Sequence, residues 1–395
     1  MMPRQTTPSL SFLLDTLGRA GAPGRHVAPR LDLLRSVGLG YAWREQRHRR
    51  AARAGEGDGR RAGYLERWSQ AAAEVGADAA DLSRGFVELR RGDTRVVVWN
   101  HWVPLDHIVT LKRALEKPLV HRTLAEAGLP VPDHALFDAR DLAPALAFLR
   151  RHDGPCVVKP VDLEGGAATT SGVVTPAQLR RARLRARRMS HRLLIEREVA
   201  GDNYRFLFLD GVLLDVVRRL PPRVTGDGRS SIRELVATEN RRRHAAAGGA
   251  RTWELVADLD SVFTLERAGL TLGSVPAAGA SVLLKTVVNA NGPENNETVL
   301  HRVDGALVAD AARAARAVGV RLAGVDIITP DCGRSLADAG GVVLEVNATP
   351  GLHYHYEVRN RDERVPVLAP ILQALFAEAR ASTAPRNGAV PSRSA

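Results

Sequence analysis

The chain has 395 residues, 45% hydrophobic and 25% charged, a composition that folds into two or three domains and excludes an intrinsically disordered polypeptide. No run approaches the ~18–20 apolar residues of a membrane span, and the start, "MMPRQTTPSLSFLLDTLGRAG", is a poor signal peptide because Asp15 breaks its short apolar patch. The net charge of +12 comes almost wholly from arginine, and the two isolated cysteines, Cys156 and Cys332, fit a reducing cytoplasm and neither a disulfide framework nor a zinc site.

In chain order, residues 1–30 look loose. Charged helices follow, with a flexible break at Gly55–Gly59, and "RWSQAAAEVGADAADL" reads as a packed helix. "FVELRRGDTRVVVWN" predicts two strands around a turn at Gly92-Asp93. "LDHIVTLKRALEKPLVHRTLAEAG" has helical periodicity and stops at Gly128. "LPVPDHALF" is extended, and "DLAPALAFLRRH" is a helix with Asp141 as its cap. "GPCVVKPV" is a short buried strand. Next comes "LRRARLRARRMSHR", with seven arginines and no acid, expected to be a solvated helix with Leu179, Leu184 and Met189 turned inward. An RNA-binding stripe would interleave aromatics for base stacking, and this one has none.

Three strands follow: "RLLIEREVAG", "NYRFLFLDG" and "VLLDVVRRL", the last two joined by a turn at Asp210-Gly211. A helix begins behind Ser230 or Ser231, and "SVLLKTVVNANG" reads as a strand. "GALVADAARAARAVGV" is an Ala-rich helix between this strand and two more, "LAGVDIITPD" and "GGVVLEVNATPG". "RVPVLAPILQALFAEARA" closes the fold, and residues 381–395 form a polar tail expected to be disordered. Hairpins mixed with helices indicate an α+β arrangement, not a regular βαβ winding.

Three stretches carry chemistry. Asp326 in "GVDII" and Glu345 in "VLEVN" are carboxylates within apolar strands, so each needs a partner or a metal. Glu345 and Asn347 are two apart and share a strand face. With Asp326 beside them, they are hard oxygen ligands suited to Mg²⁺; a buried acid–arginine pair in each strand is the alternative. Lys159 ends an apolar strand, and behind it no bulky side chain occurs from Gly165 to Gly172. Such a loop can cover a polyphosphate with backbone N–H groups, or be only a surface turn. Glu196 and Glu198 alternate on one strand face, which could meet an adenine ring or only solvent.

The order Lys117, Lys159, small-residue loop, "LIEREVAGDNYR", "RRLPPRVTGDGRSSIRELVATEN", "GVDII" and "LEVNATPGLHYHY" resembles the ATP-grasp superfamily. Within it, residues 95–375 look most like the ATP-grasp part of cyanophycin synthetases and of bifunctional glutathione synthetases. The Arg218–Asn240 string carries the subgroup most sharply.

The resemblance implies an α+β (α/β) ATP-grasp fold in which two α+β subdomains clasp ATP. It implies an N-terminal extension over 1–95 and an ATP-grasp domain over 96–380, divided into 96–155, a small lid over 156–215, and a metal-bearing part over 216–380. It assigns Lys117, Lys159 and Lys285 to ATP, Glu196 to the adenine amino group with Arg197 and Val199 offering backbone, and Asn203 to the ribose, where relatives usually carry an acid. Asp326, Glu345 and Asn347 match the Mg²⁺ ligands, for one or two ions that Mn²⁺ can replace. Arg205 and Arg218, with Lys159, match residues near the transferred phosphate or acyl group. The relatives' Asn-Leu-Ser-Thr-Gly-Gly loop is here "NANGPENNETV", so substrate choice is expected to differ. His353 and His355 could ligate a metal, although the resemblance favours supporting or substrate contacts.

The implied activity is ADP-forming ligation of a carboxylate to an amine through an acyl phosphate, on amino acids or peptides. No membrane or nucleic-acid partner is expected, and a homodimer is an analogy only. Two other readings stay open: a ligase adding glutamate to a ribosomal protein's tail, and an RNA-binding protein with a degenerate ATP site.

Overall fold

The computed structural model describes residues 60–163, 165–246, 254–288 and 292–383. The break at Gly55–Gly59, residues 1–30 and the tail from 384 onward lie outside the described residues. In chain order the elements are α1 (Arg60–Glu74), β1 (Asp78–Asp81), β2 (Phe86–Arg91), β3 (Thr94–Trp99), α2 (Ile108–Leu115), α3 (Lys117–Glu126), β4 (His134–Asp138), α4 (Ala143–Arg151), β5 (Cys156–Pro160), β6 (Thr170–Val173), α5 (Pro176–Ala186), β7 (Arg192–Arg197), β8 (Asp202–Leu209) and β9 (Val212–Arg219). They continue through β10 (Arg223–Thr225), α6 (Ile232–Ala246), α7 (Leu259–Arg267), β11 (Ser281–Leu283), β12 (Asn296–Thr298), α8 (Gly305–Val318), β13 (Leu322–Thr329), α9 (Leu336–Ala339), β14 (Val342–Asn347) and α10 (Leu368–Thr383).

The central sheet has strand order β12-β9-β8-β13-β14, and every pairing in it is antiparallel. The β8–β9 hairpin turns on Asp210 and Gly211, both at positive φ as a tight two-residue turn requires. One core contains the Ala-rich helix α8, with Leu307, Ala311 and Ala315, together with Phe206 and Phe208 of β8 and Val325 and Ile327 of β13. Gly319 ends α8 in the left-handed conformation that favours glycine.

A second core joins the sheet β1-β2-β3 to the central sheet. Val87, Leu89, Val96 and Val98 alternate inward and meet Tyr64 and Trp68 of α1, Leu207 of β8, and Ile371 and Phe376 of α10. Strand β3 runs across residue 95, and the sheet it completes shares its core with the closing helix. A four-stranded sheet, β4-β7-β5-β6, has its own core with α4 and α5, into which Leu259 and Phe263 of α7 also pack, and β10 pairs with β11 in a separate two-stranded sheet. Strand pairing places β8 and the whole of β9 in the central sheet, so the 215/216 division expected from the sequence falls within a hairpin strand.

Several local expectations need correction. The helix expected from 105 to 128 is two helices, because Pro118 lies in the first turn of α3 and the chain breaks at Glu116. Residues 78–81 pair as a strand instead of continuing α1. "SVLLKTVVNANG" supplies a strand of three residues, and α7 had no predicted counterpart. Helix α10 runs through Thr383, into the expected tail. On α5 the inward residues are Leu179, Ala182, Arg185 and Ala186, whereas Met189 is exposed. Arg185 is buried because it reaches Asp258 at 2.6 Å, and Arg183 donates to the Ala139 carbonyl at 2.6 Å. Part of the arginine run therefore cements the fold.

Candidate active site

A cleft of about 670 Å³ opens between the four-stranded sheet and the central sheet. The four-stranded sheet supplies Lys159 and Glu196. Register pairs Val157 with Glu196, so Val157, Lys159 and Glu196 share one face. The result is a buried ion pair, Lys159 Nζ to Glu196 Oε1, at 2.7 Å. These two residues, which the resemblance sends to opposite ends of ATP, touch each other. Glu196 Oε2 is buried without a hydrogen-bond partner, so it can still accept from a ligand amine. Arg197 and Val199, at the end of β7 and just beyond, line the cleft. Glu198 does too; it accepts from Gly172 N at 2.7 Å and pairs with Arg267 at 3.0 Å, which ties the strand exit to the small-residue loop.

Lys117 opens α3 and lines the cleft. Its Nζ donates to the Leu163 carbonyl at 2.5 Å and stands 3.7 Å from Glu345 Oε1. His121, one turn later, is packed beneath the site, its Nε2 3.0 Å from the Leu344 carbonyl. Burial first, then the Lys159 charge, pushes its pKa down to about 4.

The central sheet supplies a row of charges. Asp326 faces Arg205 on one side and Glu345 on the other, while Asn347 faces Gly324. Arg205 grips Asp326 with two hydrogen bonds, Nη2 to Oδ2 at 2.7 Å and Nε to Oδ1. Asn347 Nδ2 stands 3.2 Å from Asp326 Oδ2. Burial alone would push the Asp326 carboxyl up, but the Arg205 charge and hydrogen bonds, helped by Arg219 and Asn347, hold it below the usual carboxylate range. The metal-ligand reading and the acid–arginine alternative therefore meet in one residue.

Gly324 is glycine for a spatial reason: a Cβ there would stand 2.7 Å from Pro350 Cβ and 3.2 Å from the Arg205 side chain. The Thr349-Pro350-Gly351 turn thus folds back against the strand bearing the charge row. The histidines beyond it lie in a 3₁₀ turn, not a strand. His353 lines the cleft, with its Nδ1 3.0 Å from the Tyr64 hydroxyl. His355 is fully buried, 2.7 Å from Asp215, and does not line the cleft.

Two assigned residues are not at the cleft. Lys285 is buried against Asp258 at 3.2 Å, since the three-residue strand β11 ends before it and Thr286 takes the lining position. Arg218 turns the other way on β9 and pairs with Asp202 at 2.5 Å. Its neighbour Arg219 enters instead, because register pairs Asn203 with Arg219 and Arg205 with Val217. Arg219 stands 3.9 Å from Asp326 and 4.7 Å from the Tyr354 ring centroid. Asn203 lines the cleft, and its Oδ1 is buried without a hydrogen-bond partner. Alternation could have suggested Arg219, but only the register chooses between neighbours. Residues 289–291 of the altered loop lie outside the described residues.

The residues suit a divalent cation of the hard, oxygen-seeking class: two carboxylates and an amide oxygen share one face, with cationic side chains around them that also suit phosphates. Among the described residues, no group of three or more His, Cys, Asp and Glu side chains gathers as a self-sufficient metal cage. The donor set matches an ion that takes its remaining ligands from water and phosphate.

A bifunctional glutathione synthetase from Pasteurella multocida superposes over 79% of this chain and 44% of its own, with a TM-score of 0.50 and 24% identity. The chain has the ATP-grasp fold. No protein-family profile matches it. The cyanophycin synthetase of Trichormus variabilis is 32% identical over 253 residues, 63% of this chain and 28% of the relative. The glutathione biosynthesis bifunctional protein GshAB of Streptococcus mutans is 29% identical over 279 residues, 69% of this chain and 36% of the relative. The chain thus spans about a third of the length of these relatives, and what they share with it is the ATP-grasp region. In this ATP-grasp fold no described helix is long and apolar enough to cross a membrane.

Proposed function

We propose that the chain is an ATP-dependent, ADP-forming carboxylate–amine ligase that joins amino acids or peptides through an acyl phosphate. One observation carries the reading: Lys117, Lys159, Arg205 and Arg219 enter the same cleft as Asp326, Glu345 and Asn347. Cations that meet phosphate oxygens and hard ligands that meet Mg²⁺ are what phosphoryl transfer needs, since it depends on positioning and charge more than on a protein nucleophile.

In this reading the sheet β4-β7-β5-β6 is the lid. Glu196 accepts from the adenine amino group through its unpartnered Oε2, and Asn203 accepts from the ribose. Lys117 and Lys159 hold the phosphates, with Lys159 exchanging its Glu196 partner for phosphate. Asp326, Glu345 and Asn347 would hold Mg²⁺, which would supply charge screening for the triphosphate. Arg205 and Arg219 hold the acid and the transferred group. The carboxylate oxygen attacks the γ-phosphorus and ADP leaves. The amine nitrogen then attacks the acyl carbon, phosphate leaves, and the amine loses a proton. The free cysteines support a cytoplasmic setting.

The test is Mg²⁺-dependent release of ADP and phosphate with pooled amino acids and short peptides, with mass spectrometry on the products. A new amide mass alongside ADP is expected. AMP and pyrophosphate, or no turnover with intact ATP binding, would overturn this reading.

A further inference from the structure

The first sheet carries a row of aromatic rings that leads from the surface to the cleft. Phe86 stacks on Trp99 with centroids 5.9 Å apart, Trp99 meets Trp102 at 6.0 Å, and Trp102 meets His101 at 6.1 Å. His101 lines the cleft and lies 5.7 Å from Tyr64, whose hydroxyl meets cleft-lining His353. Phe86, Trp99 and Trp102 are 43%, 39% and 37% exposed, so the outer rings are open to a ligand. They are also held in place. Trp99 Nε1 donates to the Arg84 carbonyl at 3.1 Å, and the corner at Asn100 is tied down by Trp68 Nε1 at 2.8 Å. A rigid aromatic shelf costs little entropy when it binds.

We propose that this shelf is an outer substrate subsite that receives an aromatic side chain of a peptide substrate whose reacting end lies in the cleft; the inference rests on the ligase reading above. Length decides for a peptide. Trp99 lies two ring contacts beyond His101, a reach of roughly 10 Å past the cleft wall, or about three extended residues. A free amino acid in the cleft cannot touch it. The rings themselves decide for an uncharged aromatic: they offer apolar faces, while the charges of the same outer face, Arg90 and Arg95 against Glu88, which both engage, and Asp78 opposite Arg90, are balanced.

The full-length protein with Mg²⁺-ATP is given tetra-alanine and the same tetrapeptide with phenylalanine at either end. Ring stacking predicts a preference of about tenfold in kcat/KM for one phenylalanine peptide. Trp99→Ala combined with Trp102→Ala, and separately Phe86→Ser, should bring that ratio toward one. Peptide binding is measured in parallel by calorimetry, so the shelf is judged even without turnover. Equal binding of tetra-alanine and both phenylalanine peptides overturns the subsite, as does a preference that survives both sets of variants. Variants that convert a dimer to a monomer and leave the preference intact also overturn it, by assigning the shelf to a second copy. Phenylalanine binding that depends on the tryptophans, without ADP release, keeps the subsite and removes the ligase reading.

Discussion

Glu345 is the residue where activity separates most cleanly from folding. Its side chain is partly open, and its only described ion pair is the 3.7 Å approach of Lys117, so neutralising it removes little stability. Glu345→Gln should fold as the parent does and lose on the order of 10²–10³ in turnover, the usual loss for one major charge contact. Circular dichroism and ADP release on the same sample check this; full turnover would remove Glu345 from the site. Asp326 is a poorer probe. It is buried, and its loss would strand the Arg205 guanidinium, so inactivity and unfolding would arrive together.

At the scale of an element, β9 shows what a strand does with two adjacent arginines. Arg219 faces the row of Arg205 and Asp326, and Arg218 faces Asp202 on the other side. Arg219→Ala should therefore lower kcat by on the order of 10²-fold. Arg218→Ala removes a pair 35% exposed on each side, and should stay within roughly tenfold in kcat with about 1 kcal/mol or less of lost stability. Steady-state kinetics of the two variants side by side decides it, and the opposite order would restore Arg218 to the site. In the sequence the pair was legible as arginines but not as inside and outside. A shift of one residue in register exchanges the two faces, and register is set by the partner strand.

For the whole molecule, the joint between the lid sheet and the segment 220–288 is a buried charge cluster. Asp258 binds Arg185 at 2.6 Å and Lys285 at 3.2 Å, and nearby Asp260 accepts from Ser171 N at 2.9 Å. Burial opposes the Asp258 charge, but Arg185 and Lys285 together hold its carboxyl below the usual range. Asp258→Asn leaves two buried cations facing a neutral amide and should cost about 3–5 kcal/mol. Urea unfolding should show this as an earlier transition; an unchanged midpoint would mean that the cluster does not hold the joint. Lys285 thus has a structural contact in this cluster, whereas the family resemblance assigned it to ATP.

By itself the sequence determined the strands carrying Lys159, Glu196, Asp326 and Glu345, the hairpin at Asp210-Gly211, and the shared face of Glu345 and Asn347. These follow from alternation, turn chemistry and the cost of burying a carboxylate, all of which act within a few residues. Only the tertiary structure decided that Lys159 pairs with Glu196, that Arg219 and not Arg218 lines the cleft, that Lys285 is buried, and that the Tyr64 hydroxyl of α1 meets cleft-lining His353. Each of these joins segments far apart in the chain or depends on strand register. A local pattern records that a charge needs a partner; the packing of distant elements determines which partner it meets.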